Sequence, residues 1–187
     1  MTQYTTLADV RAWLTGIQPS QTTDDVLLTS LIARASAFID SYIGRGIISA
    51  DYTETLNGND SDSMFVKNFP ITAVSSVTVD LYTYSPSNTP LGFGYTFDSN
   101  RVYLRGGRFC RGSQNVVISY TGGYAQVPAD IQQAAIELVV FKYKSRNHVG
   151  MASHSQDRVV VDHFIQSEVP PEVQCILDRY RRTMYLG

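Results

Sequence analysis

The chain has 187 residues, 43% of them hydrophobic and 17% charged, a composition that predicts one domain with a genuine core and excludes disorder. A formal net charge of −2 and a pI near 5.9 argue against a dedicated DNA binder, which needs clustered Lys and Arg, but not against a protein that surrounds DNA without gripping it. Cys110 and Cys175 lie far apart, so neither a disulfide framework nor a zinc site is suggested, and a reducing cytoplasm fits.

The N-terminus, Met1 to Ala12, lacks the basic start and apolar run of a signal peptide. No apolar stretch is expected to reach the ~18 residues of a membrane helix. Thr6 offers a cap for a short first helix, with Leu7, Val10, Trp13 and Leu14 on one face and Gly16 as its stop. The second helix is the clearest element. Thr22 and Thr23 offer caps, and Asp24 and Asp25 complement the helix dipole. Leu28, Ile32, Ala35, Ile39 and Ile43 then recur at helical spacing, up to Gly44.

The period changes to two from Asp51, and Asn57-Gly58 carries the signature of a hairpin turn. Further extended runs follow at Met64–Phe69, Val74–Leu81, Tyr95–Phe97, Arg101–Leu104 and Asn115–Tyr120, with glycine breaks between them. About six strands are predicted, mostly antiparallel, because the connections are too short for parallel crossovers. Helix returns at Pro128, carries Ile131, Ala134, Ala135, Leu138 and Val139, and is expected to stop at Gly150. Arg158 to Ile165 could form an extended arm, and Pro170-Pro171 opens a last helix from Glu172 to about Tyr185. The order predicts an α+β fold. It is a small bundle of about four helices, with an antiparallel β-rich insert at about 50–125 between the second and third, and a C-terminal arm and helix at about 151–187.

Twelve Tyr beside eight Phe fit either a Tyr-rich β core or a surface that other protein covers. No catalytic constellation emerges, so the chain is expected not to be an enzyme and to need no cofactor or metal. His148, His154 and His163 match no metal-binding spacing and are expected to be surface residues. Asp60 and Asp62 lack the closing Glu of a calcium loop. Two basic groups remain. Arg101, Arg105, Arg108 and Arg111, interleaved with Tyr103 and Phe109, could meet single-stranded nucleic acid or form a solvated or protein-binding face. Arg179, Tyr180, Arg181, Arg182 and Tyr185 close the chain with residue types that anchor interfaces.

Read together, these segments form a recognisable ordered set. Asp24-Asp25-Val26-Leu27-Leu28 leads through Ile32-Ala33-Arg34 to Tyr42-Ile43-Gly44-Arg45. Phe69-Pro70-Ile71-Thr72-Ala73-Val74 follows, then Val116–Tyr120, Thr121-Gly122-Gly123-Tyr124 and Val127-Pro128-Ala129-Asp130-Ile131. Glu137-Leu138-Val139 with Tyr143, Lys144, Arg146 and Gly150 completes it. Over about residues 5–185 the set resembles the head–tail connector (adaptor, or head-completion) proteins of long-tailed phages and prophages.

The resemblance implies a structural virion protein made in the host cytoplasm and placed in the virion neck. Its subunits form a ring under the twelve-fold portal, extend the DNA channel and offer a docking face to the next neck or tail protein. DNA would pass through without sequence-specific binding, and no membrane is involved. The C-terminal segment would face the portal, which makes Arg179, Tyr180, Arg181, Arg182 and Tyr185 candidate portal contacts. Val159, Val160, Val161 and Phe164 are candidates for an arm that adds a strand to a neighbouring subunit. A tail-completion or stopper protein of the same neck is the alternative. The long β-rich insert departs from the shortest members.

Overall fold

The computed structural model describes residues 3–14, 22–89, 92–146, 153–154, 162–163 and 169–181. Among the described residues, four helices and antiparallel sheets make an α+β fold, with seven strands between the second and third helices. The chain divides into two compact units. Residues 1–44 and 128–187 form the helical one, and 45–127 form the inserted β one.

In the helical unit, α1 (Leu7–Trp13) starts at a full capping box: the Thr6 hydroxyl accepts the Asp9 amide while the Asp9 carboxylate accepts the Thr6 amide. Its face divides differently from the sequence expectation, because Val10 and Leu14 are buried but Trp13 is 48% exposed. In helix α2 (Asp25–Ile43) the N-cap position falls on Asp24, not on Thr22 or Thr23, and its side chain makes no capping bond; Gly44 ends the helix in the left-handed conformation at φ 79°. At 19 residues α2 is long and apolar enough to cross a membrane by length and composition, against the expectation above. Its apolar residues nevertheless form one stripe, and Leu28, Ile32, Ala35, Ile39 and Ile43 on that stripe are buried in the protein. Pro128 caps α3 (Ala129–Ser145) one position before the place expected for it, and its fixed φ suits either. Val10, Leu14, Leu28, Ile32, Ala35, Ile136, Leu138 and Val139 share one core. Helix α4 (Pro171–Tyr180) begins with Pro at its first position and buries Val173 and Leu177 completely.

The inserted unit holds two sheets. The first has the order β1 (Ala50–Gly58), β7 (Gly112–Gly122), β3 (Ile71–Val79), β4 (Tyr82–Tyr84). The second has the order β2 (Ser63–Phe65), β6 (Arg101–Arg105), β5 (Gly94–Phe97). Val77, Val79, Val116, Ile118 and Tyr120 of the first sheet and Met64, Tyr95, Val102 and Leu104 of the second form one core with Phe109. The Tyr95 hydroxyl donates to the Val74 carbonyl at 3.0 Å and joins the sheets. Tyr120, buried, donates to the Glu54 carboxylate and accepts the Asn68 amide at 3.0 Å; burial first, then Glu54, raises its hydroxyl pKa well above the phenol range.

Asn57-Gly58 does not turn the chain. Both residues lie inside β1, whose partner is the distant β7, and Gly58 is opposite Gly112 after a register shift. Glycine is needed there for close approach, because a Cβ would stand 1.7 Å from the Cys110 carbonyl oxygen. The tight hairpin comes at Asp80-Leu81 instead, between β3 and β4, with φ of 47° and 70° and the Leu81 side chain 97% exposed. Beyond α3, Ser153–His154 (β8) pairs antiparallel with Asp162–His163 (β9). The C-terminal end of α4 falls at Tyr180, where Arg181 turns to extended backbone, short of the Tyr185 expected from spacing.

Candidate interaction surfaces

Helix α4 is held against the bundle by apolar and polar contacts together. Val173 and Leu177 supply the buried side, each worth about 1.5–3 kcal/mol of burial. At its last turn the Tyr180 hydroxyl donates to both carboxylate oxygens of Asp130, at 2.7 and 2.8 Å, in the first turn of α3. The Tyr42 hydroxyl of α2 donates to Asp178 at 2.8 Å, and that bond raises the Tyr42 pKa above the usual phenol value. The Arg181 guanidinium carbon lies 5.6 Å from the centre of the Tyr42 ring.

These contacts divide the predicted C-terminal set. Arg179 and Arg181 are exposed, whereas Tyr180 is half-buried with its hydroxyl turned onto Asp130. Arg182 and Tyr185 lie outside the described residues, as do Val159, Val160, Val161 and Phe164 of the predicted arm, the Gly16 and Gly150 helix stops and His148. The spacing along α4 made its buried side readable. The partners Asp130 and Tyr42 come from other helices, and no local signal announces them.

The arginine group on β6 is also placed. Alternation turns Val102 and Leu104 into the core and leaves Arg101, Tyr103 and Arg105 on the other side. The Arg101 guanidinium stacks over Phe65 at 3.9 Å, Arg105 donates to the Thr89 carbonyl at 3.2 Å, and Arg108 to the Asp60 carbonyl at 3.4 Å. Tyr103 donates to Asp98 at 2.8 Å, and Phe109 is wholly buried. Phe109 is therefore not presented as a stacking surface. Arg105 and Arg108 line an open groove opposite Asp60 and Asp62, so cations and carboxylates share it. That mixed charge gives a nucleic-acid backbone little to hold.

Sequence reasoning missed an aromatic group near the β3–β4 hairpin. Tyr82 and Phe93 are exposed, Tyr82 meets Tyr84 edge-on at 5.0 Å, and Tyr84 stacks on Phe93 at 5.7 Å. In the helical unit, Trp13, Val26 and Leu27 are also exposed. Cys110 and Cys175 are free and exposed. Among the described residues no group of three His, Cys, Asp or Glu is arranged to hold a metal.

The described residues form an α+β scaffold that presents Arg, Tyr and aliphatic side chains at its surface. The family model described as "Head completion protein" matches residues 3–183, and the chain belongs to that family, a structural one of phage-like particles. No curated protein matches the chain. Among solved structures it is similar to a chain in "Neck of empty GTA particle computed with C6 symmetry", with TM-score 0.60 and 20% identity over 96% of this chain and 90% of that one. It is similar to a chain in "Neck of native GTA particle computed with C12 symmetry", with TM-score 0.59 and 18% identity over 97% and 90%. A third similar chain is in "Virion of native gene transfer agent (GTA) particle", with TM-score 0.60 and 21% identity over 96% and 90%.

Proposed function

We propose that this chain is one subunit of a ring that joins the portal to the tail or the next neck protein and extends the DNA channel. The observation that carries this reading is the family match over residues 3–183, joined by a common fold with chains of a neck computed with C12 symmetry. A closed ring needs a contact between two different faces of the subunit, and such contacts can be individually weak because closure and the portal template add avidity. Twelve copies on the portal, a downstream neck partner, and DNA that slides through without sequence-specific binding complete the proposal.

The exposed Arg179 and Arg181, with Arg182 and Tyr185 beyond them, are the groups we assign to the portal. Tyr180 holds α4 in place through Asp130, so it positions that surface more than it touches the partner. Residues 159–164 are assigned to an inter-subunit arm.

Light scattering of the purified protein, alone and with its portal, tests the reading. The expected result is a monomer alone and a large ring complex with portal. A protein that ignores portal but binds a preformed connector would be a later neck component, such as a stopper.

A further inference from the structure

Strand β1 is the long open edge of the inserted unit. The other outer strands, β2, β4 and β5, are three or four residues long, whereas β1 has nine. Proteins protect exposed edges by keeping them short or by placing Pro, Lys or a bulge on them. From Ala50 to Leu56 strand β1 has no Pro, Lys or bulge and its register on β7 is unbroken; its two charges, Asp51 and Glu54, are engaged by the Thr121 and Tyr120 hydroxyls of β7.

The direction of its backbone groups follows from the bonds of β7. The odd-numbered residues of that region face β3: Gly123 donates to Pro70, Asn115 accepts from Asp80, and Thr121 accepts from the Thr72 hydroxyl. Tyr124 bonds Ile47 and Ser49, on the β1 side. Alternation then turns Val116, Ile118, Tyr120 and Gly122 towards Ala50, Tyr52, Glu54 and Leu56. The amides and carbonyls of Asp51, Thr53 and Thr55 therefore point away from β7, and among the described residues no backbone group bonds them.

We propose that this edge seats residues 159–164 of a second copy of the chain, added to the four-stranded sheet as a fifth strand. The proposal rests on the ring reading above, and two observations select this occupant. First, α3 ends at Ser145 and α4 starts at Pro171, although the two helices touch through Tyr180 and Asp130. About two to eight residues commonly join packed helices, so most of 146–170 is surplus to that connection and can reach a neighbour. Second, Arg158-Val159-Val160-Val161-Asp162-His163-Phe164 is rich in β-formers, and Asp162–His163 already lies in a strand. Val159 and Val161 alternate to suit the half-buried side of β1, where Tyr52 and Leu56 flank Glu54. Donor and acceptor are different parts of the same chain, as a closing ring requires.

A fluorescent peptide of residues 157–166, titrated into the full-length protein and followed by anisotropy, tests the edge without portal. Saturable binding is expected. Thr53→Pro, which deletes an outward amide and spares the ladder to β7, should weaken it by about tenfold or more while circular dichroism stays unchanged. Should that variant not fold, a peptide with Val159→Asp and Val161→Asp, added to the unaltered protein, should fail to bind. Flat anisotropy with the natural peptide overturns the proposal. On portal, Thr53→Pro and deletion of 156–166 should each impair ring formation. Undiminished rings from both variants would overturn strand addition and leave the ring reading standing. Peptide binding by a protein that never forms rings would support the edge and reject the ring.

Discussion

At the scale of single residues, local hydrogen bonding sets the balance of stability. Asp98 accepts the amides of Asn100 and Arg101 and the hydroxyl of Tyr103, at 2.9, 2.8 and 2.8 Å. Partial burial raises its pKa, but those bonds and the Arg101 charge outweigh it and hold the carboxyl below its ordinary 3.8. A depressed folded pKa contributes stability above the unfolded value and loses it as pH falls through the folded one. Asp98→Asn should therefore lower the melting temperature at pH 7, and the difference from the parent should shrink as thermal scans move below about pH 4. Leu81 presents the opposite case. A leucine in the left-handed region costs about 1–2 kcal/mol, and its side chain is almost wholly in water. Leu81→Gly should raise the unfolding free energy by roughly 1 kcal/mol, read as a higher midpoint in urea unfolding.

At the scale of elements, α4 keeps the side chains that attach it apart from its exposed arginines. Leu177→Ala should cost about 2–5 kcal/mol, and Tyr180→Phe about 1–2 kcal/mol through the lost bonds to Asp130. Arg179→Ala with Arg181→Ala should leave thermal stability within about 0.5 kcal/mol and weaken portal binding in a pull-down. The helices were legible because their signals are local: the Thr6–Asp9 box, the Leu28-to-Ile43 stripe, Gly44, and Pro171 at the head of α4. The β insert and its position were legible too, from the change of period at Asp51. Its pairing was not, because β1 meets β7 about sixty residues away. Asn57-Gly58, a strong turn signal, marks close backbone approach there, while the real two-residue turn uses Asp80-Leu81 without the expected glycine. Residue type offered Arg179, Tyr180, Arg181, Arg182 and Tyr185 as candidate contacts, and the structure shows Arg179 and Arg181 exposed. The inward turn of Tyr180 depends on Asp130, fifty positions earlier.

At the scale of the whole molecule, charge is distributed evenly. The inserted unit contains six basic and six acidic residues, and its arginines sit among Asp60, Asp62 and Asp98. Gel shifts with duplex or single-stranded DNA should show no complex at about 150 mM salt; a complex whose affinity falls steeply with salt would favour a nucleic-acid role for the β6 face. The two free cysteines add something of a different kind. Cys110 belongs to the inserted unit and Cys175 to the helical one, and both are exposed. Nature has thus left one thiol on each unit and no third to confuse the labelling. A donor and an acceptor dye on that pair would turn the unmodified sequence into its own molecular ruler, one label on each unit, read alone and with portal.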